Sequence, residues 1–351
     1  MITRLPAEWE EQDGVLLAWP HAESDWLPWL PMVELVFAQI VKEIAHFEAV
    51  LLVAAEGERT SAILSAAGAS MERVRIVEIP TNDTWARDFG PLTVERDGNP
   101  VLLDFGFNGW GLKFAADRDN LITGRLHRTG AFGNAALETV GLILEGGSIE
   151  SDGNGTILTT AECLLNPNRN PHLSQEQIEI SLKEQFGADR ILWLENGWLA
   201  GDDTDSHIDT LARLAPDDTI VYVRCDDAAD EHYPALFLME KELKAMRTSE
   251  GSPYRLIPLP WPRPCHDEDG ERLPATYANY LVINGAVLVP TYGDPGDDAA
   301  LAAIGQAFPG REIIGIDCRP LILQHGSLHC VTMQLPKGTL APEPRNVTRE
   351  V

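Results

Sequence analysis

The chain has 351 residues, 44% of them hydrophobic, and a formal charge of −27 from 54 acidic and 27 basic side chains. That length and apolar content support a single large domain with a substantial core. The acidic field repels nucleic acid and anionic membrane and draws in small cations.

In chain order, Trp9, Trp19, Trp26 and Trp29 open the sequence and read as core and interface packing. Residues 31–48 carry apolar side chains at helical spacing, 49–54 are β-rich, 58–67 are helical and 74–79 return to strand. The order recurs with helix 174–186 and strand 190–194, then strand 219–223, helix 231–246 and strand 254–259, then strand 287–290, helix 297–308 and strand 311–316. An α/β module repeated in one compact domain is the economical architecture. The tail after about residue 340 is expected to be extended.

Polar groups collect where these strands exit, which is where open α/β folds bind ligands. Strand 74–79 runs into Asn82-Asp83-Thr84-Trp85-Ala86-Arg87-Asp88, and strand 190–194 leads to Gly201-Asp202-Asp203-Thr204-Asp205-Ser206-His207-Ile208-Asp209. Strand 311–316 leads to Gly326-Ser327-Leu328-His329-Cys330, where the cysteine lies in an apolar, strand-like run. A lone cysteine in such a run is more often a buried core residue. A preceding glycine turn can nonetheless present it at a strand edge, where a nearby cation favours the thiolate.

His207 sits among acids that favour its protonated form, which suits a general acid; the bland reading is a surface histidine in a solvated loop. Asp88 and Asp209 together match the paired N–H donors of a planar guanidinium, although either alone reads as a turn or cap residue. Arg87 reads as a structural ion-pairing residue. Glu145 precedes two glycines that admit close backbone approach and is placed to orient the histidine or to cap a strand end. The segment 105–111, Phe-Gly-Phe-Asn-Gly-Trp-Gly, has the glycine and aromatic content of a mobile lid.

Five cysteines (Cys163, Cys225, Cys265, Cys318 and Cys330) contain no CxxC pair and no metal-finger spacing, so free thiols in a reducing compartment are expected. Residues 1–10 lack the apolar core of a signal peptide, and no run approaches the roughly 20 apolar residues of a membrane span. A cytoplasmic protein is expected.

Several motifs, in order, resemble the agmatine deiminase family, also called bacterial-type peptidylarginine deiminases, of the guanidine-modifying (pentein) superfamily. They are Pro6-Ala7-Glu8-Trp9-Glu10, Ala18-Trp19-Pro20-His21, residues 82–91, Glu145-Gly146-Gly147, residues 201–209 and Leu328-His329-Cys330-Val331-Thr332. The resemblance implies a five-bladed α/β propeller with pseudo-fivefold symmetry. It implies Cys330 as nucleophile, His207 as acid/base and Glu145 as its supporting acid, with Asp88, Asp209 and Trp85 binding substrate. Two positions depart from the pattern: His325-Gly326 stands where many relatives have Gly-Gly, and Ser206 where they have glycine.

The reaction so implied converts agmatine to N-carbamoylputrescine and ammonia and needs no metal or organic cofactor. Peptidylarginine is the alternative substrate, and a homo-oligomer is the expected assembly. Three further classes compete on the residues alone, one of them an inactive binding module that holds a cationic ligand without turnover. A thiol amidase would use Cys330 and His207 and leave Asp88 idle. A metal hydrolase would use Asp203, Asp205, His207 and Asp209 and leave Cys330 idle.

Overall fold

The structure is a computed structural model that describes residues 2–341 and the backbone of 347–349. The described residues group into two compact units. One takes 2–6, 10–146 and the chain from 329 onward; the other takes 7–9 and 147–328.

The first unit carries a five-stranded sheet in the order Thr332–Pro336, Gln12–Ala18, Ala49–Ala54, Val74–Glu78, Val347–Arg349. The first pair is antiparallel and the rest are parallel. Strand Val347–Arg349 belongs to the tail expected to be extended; residues 342–346 and 350–351 of that tail lie outside the described residues. The unit's second sheet has the order Thr3–Arg4, Leu92–Arg96, Asn99–Gly106, Ala136–Ile143. The second unit holds three three-stranded sheets and a short hairpin.

One pattern recurs in both units. Two strands pair antiparallel, the chain then crosses through a helix, and a third strand adds in parallel beside the second. Leu92–Arg96, Asn99–Gly106 and Ala136–Ile143 do this, as do Ile149–Ser151, Thr156–Thr160 and Arg190–Leu194. Ala212–Ala215, Thr219–Val223 and Arg255–Leu259 follow, then Leu281–Ile283, Ala286–Thr291 and Glu312–Asp317. Thr332–Pro336, Gln12–Ala18 and Ala49–Ala54 make the fifth sheet of this kind.

The helices form for local reasons. Leu30–Phe47 starts with proline in its first turn and buries Val33, Phe37, Ile40, Val41 and Ile44, one apolar stripe against the sheet. Ser174 caps Gln175–Phe186 with a reciprocal box to Gln177, and Gly187 ends it at φ 63°. Among the described residues no helix is long and apolar enough to cross a membrane.

In the second unit the strand Ala212–Ala215 is fastened by the buried Arg213. Its guanidinium meets the carboxylates of Glu8 and Glu150 and donates to the carbonyls of Ala278 (3.1 Å) and Tyr280 (2.6 Å). Burial pushes the Glu150 carboxyl upward, while the guanidinium opposes that shift.

Candidate active site

In the first unit, strand Val74–Glu78 runs out into a loop that is tied down before it reaches Asp88. The backbone N–H groups of Asn82 and Asp83 donate to the Asp119 carboxylate at 2.7 and 3.1 Å. The Asp83 carboxylate in turn accepts from the Thr84 N–H (2.8 Å) and the Trp26 indole (3.0 Å). Burial is the main cause that pushes Asp83 up to about 6 and Asp119 up to about 8, against the pull of these backbone donors. Trp26 also packs on Trp85, ring centroids 5.7 Å apart, so this part of the tryptophan-rich opening is core. The short helix Ala86–Phe89 then presents Asp88, 4% exposed.

The segment expected to be a lid is packed instead. Phe107 and Trp110 are buried, with ring centroids 5.0 Å apart edge to face. Four successive residues, Gly109, Trp110, Gly111 and Leu112, all take positive φ, giving a single left-handed turn. Glycine adopts this readily, but Trp110 (φ 53°) and Leu112 (φ 67°) do so at a cost of about 1–2 kcal/mol each. A side chain at Gly109 would also collide with the Phe114 carbonyl, 2.2 Å from its Cβ position. The turn delivers the Trp110 indole N–H to Asp88 Oδ2 at 2.9 Å, in a buried setting. Sequence reasoning missed Trp110; its only signal was the glycine on either side.

Arg87 brings the remaining residues of this unit together. Its backbone N–H donates to the carbonyl of Cys330 at 3.1 Å, and its guanidinium reaches the Gln334 side-chain oxygen and, at 3.7 Å, Met333 Sδ. Its own carbonyl lies 2.2 Å from where a Cβ on Gly146 would stand, so glycine beside Glu145 is a packing requirement. The backbone of Arg87 thus adjoins Gly146 and Cys330, and Asp88, Glu145 and Cys330 are all buried. The expected structural role of Arg87 is seen here in hydrogen bonds to Gln334 and Met333.

Cys330 is not inside a strand. It lies in the turn before Thr332–Pro336, where the His329 carbonyl accepts both the N–H and the hydroxyl of Thr332 at 3.0 Å. The apolar run misled because the turn and the strand are equally buried. A turn leaves the cysteine at the strand entrance, where its thiol is not committed to a β-face.

In the second unit the same device recurs at His207-Ile208-Asp209-Thr210. The His207 carbonyl accepts the N–H (3.2 Å) and the hydroxyl (2.8 Å) of Thr210. His207 and Asp209 both have zero exposure, so the surface-histidine reading is wrong. The preceding loop turns tightly, with Gly201 at φ 82°, Asp205 at φ 64° and Ser206 at φ 65°. Asp202 accepts from the N–H groups of Thr204 (3.1 Å) and Ser206 (2.7 Å), and the Thr204 hydroxyl accepts from the His207 N–H (3.1 Å). His325, at φ 67°, bonds through Nδ1 to the Gly201 carbonyl at 2.8 Å.

These partners argue against the loop as a set of metal ligands. The Asp205 carboxylate is paired with the buried Arg169 at 2.7 Å, and Asp203, 41% exposed at its side chain, faces His325. The first unit holds a buried thiol and the buried carboxylates of Asp88 and Glu145, and the second holds a buried imidazole and the buried carboxylate of Asp209. Such groups suit nucleophilic attack with proton transfer at a cationic carbon. Cys225, Cys265 and Cys318 are free thiols, and burial pushes Cys318 upward, as befits an inert core residue.

The chain is similar to known proteins along nearly its whole length. An agmatine deiminase of Pseudomonas aeruginosa is 34% identical, with 95% of each chain covered. The structure of C. jejuni agmatine deiminase is 41% identical, covers 96% of this chain and 97% of its own, and superposes with a TM-score of 0.87. A Cys-to-Ser variant of that enzyme with substrate bound gives 42% and 0.89 at the same coverage. Dimethylarginine dimethylaminohydrolase, 11% identical at a TM-score of 0.50 over 92% of this chain and 100% of its own, shares the fold alone, an α/β pentein. The model of Porphyromonas-type peptidyl-arginine deiminases matches residues 4–336, and the chain belongs to that family.

Proposed function

We propose that this chain is an agmatine deiminase, a hydrolase of the guanidinium C–N bond that yields N-carbamoylputrescine and ammonia. The observation that carries the reading is likeness to agmatine deiminases along nearly the whole of both chains. The motif residues supply a role for each step. Asp88 and Asp209 hold the planar guanidinium by paired hydrogen bonds and offset its charge. Trp85, 5% exposed, is the further substrate-binding residue.

The Cys330 thiolate adds to the central carbon, forming a C–S bond and a tetrahedral adduct. His207 protonates one amino group, the C–N bond breaks, ammonia leaves and a thiouronium remains on sulfur. Water then adds to that carbon while neutral His207 takes its proton. The second adduct collapses, breaking the C–S bond to give the ureido product and to restore the thiolate. Glu145 supports the imidazole. The five sheets of one strand order support a five-bladed α/β propeller of pseudo-fivefold symmetry acting as one catalytic domain. A reducing cytoplasm suits a thiol nucleophile in a chain whose Cys225, Cys265 and Cys318 are free thiols.

The family's description supports a second reading, in which peptidylarginine is the substrate. Ammonia and ureido-product assays on agmatine, free arginine and an arginine-containing peptide decide between them. Turnover of agmatine well above the other two is expected; preference for the peptide would replace the first reading with the second. Cys330→Ser should abolish turnover while agmatine still binds in calorimetry, and near-normal rates in that variant would remove Cys330 from its role.

A further inference from the structure

We propose that Arg169 is a positioning residue for His207, clamping the strained left-handed pair Asp205-Ser206 so that the imidazole is held where proton transfer needs it. The inference rests on the reading above, in which His207 carries the proton. Two successive non-glycine residues in left-handed conformation are costly, and the pair persists only where neighbouring groups hold it. Those groups are identifiable, and Arg169 is the central one.

The Arg169 side chain has zero exposure. Its Nη1 donates to Asp205 Oδ2 at 2.7 Å and its Nη2 to the Thr204 carbonyl at 2.9 Å, so one planar fork holds both the side chain and the backbone of the turn. Asn168 completes the clamp, donating to the same Asp205 oxygen at 3.1 Å and accepting from Arg169 at 2.8 Å. On the other side, the Thr160 hydroxyl donates to the Ser206 carbonyl at 2.7 Å, in the peptide that enters His207. Thr160 ends the middle strand of its sheet and Arg169 lies just beyond it. The rigid element therefore grips the loop that follows the neighbouring strand Arg190–Leu194. A buried cation placed this way fixes φ and ψ immediately before His207, which a bond to the imidazole itself would not do.

The test compares Arg169→Gln, Arg169→Lys, Ser206→Gly and the double variant Arg169→Gln/Ser206→Gly. With agmatine, Arg169→Gln should lower kcat by about tenfold or more and leave KM within about twofold, because a small misplacement of a catalytic group costs rate more than binding. Arg169→Lys, which keeps the charge without the fork, should restore part of the rate. Glycine at 206 holds the left-handed backbone without a clamp, so the double variant should recover much of the loss. Should Arg169→Gln fail to fold, Thr160→Val removes a single clamp bond and should reduce kcat in the same direction.

An unchanged kcat in Arg169→Gln, or a loss that glycine at 206 does not relieve, overturns the proposal. A second readout is independent of turnover: the NMR pH titration of the His207 imidazole, assigned by its absence in His207→Ala. Its midpoint should move in Arg169→Gln and return in the double variant, and an unmoved midpoint also overturns the clamp. Inactivity of the wild-type protein on agmatine would sink the functional reading, while the titration would still decide the clamp.

Discussion

Ser206 and His325 hold left-handed backbone at φ 65° and 67° with side chains that disfavour it. They are the two positions where the motif comparison expects glycine. A non-glycine residue there costs about 1–2 kcal/mol, and glycine gives back about 0.5–1 kcal/mol in unfolded-chain entropy. Ser206→Gly should therefore raise the unfolding free energy by about 0.5 kcal/mol, read as a higher denaturant midpoint at unchanged slope. His325→Gly also loses the bond from Nδ1 to the Gly201 carbonyl and should gain nothing. A destabilised Ser206→Gly would mean that the serine side chain contributes something the backbone geometry does not reveal. Trp110→Phe poses the matching question for Asp88: it keeps the ring and deletes the indole N–H, a bond to a charged group worth about 1.5–3 kcal/mol. The expected result is a fall of about tenfold or more in kcat/KM for agmatine, and an unchanged kcat/KM would place the indole outside substrate binding. Asp88, His207 and Cys330 could be proposed from the sequence because the chemistry proposed for them is carried by residue type and local motif. Trp110 and Arg169 could not. Their roles depend on a backbone turned left-handed and on partners 22 and 36 residues away, and neither is visible in local spacing.

At the scale of elements, periodicity located most of what packs. The helix expected at 31–48 is Leu30–Phe47 and the strand at 190–194 is Arg190–Leu194, because burial on one face imposes the period. Of the sheet of Leu92–Arg96, Asn99–Gly106 and Ala136–Ile143, the sequence signals only a strand ahead of Glu145. The sheet's third strand is largely exposed and its crossover helix, Ile122–Arg128, is short, so neither shows a clear apolar period. What the elements share is a turn ahead of the first strand, and the sequence His-x-x-Thr marks two of these, at His207 and at His329. The loop carrying Asp88 is held differently, by Asp119, whose carboxyl is pushed from 3.8 to about 8 chiefly by burial. A folded value above the unfolded one means that the folded state binds the proton more tightly. The associated stability is complete below about pH 4 and is lost as pH rises towards 8. Asp119→Asn cannot ionise, so the wild-type advantage over it should shrink by on the order of 5 kcal/mol across that window. Denaturant unfolding of both proteins at closely spaced pH values measures the difference. A difference that is flat with pH would show that Asp119 is already ionised in the fold, supported by the N–H groups of Asn82 and Asp83.

At the scale of the whole molecule, the charge of −27 and the chemistry of the substrate make a joint prediction. Agmatine bears a guanidinium and an ammonium, so the summed field of the protein acts on two positive charges, while the buried Asp88 and Asp209, in the role proposed for them, would act on the guanidinium alone. The two contributions differ in range. Long-range attraction is cut off by salt, with a Debye length of about 10 Å at 0.1 M and about 3 Å at 1 M, whereas a buried pairing is screened far less. Raising sodium chloride from about 0.02 M to about 0.5 M should therefore lower kcat/KM for agmatine several-fold and leave kcat at saturation nearly unchanged. An alkylguanidine of the same length without the amine feels the field through one charge, and its kcat/KM should fall by about half as much on a logarithmic scale. If both substrates lost the same factor, or agmatine lost none, the acidic surface would have no part in capture. Discrimination would then rest on the buried residues alone.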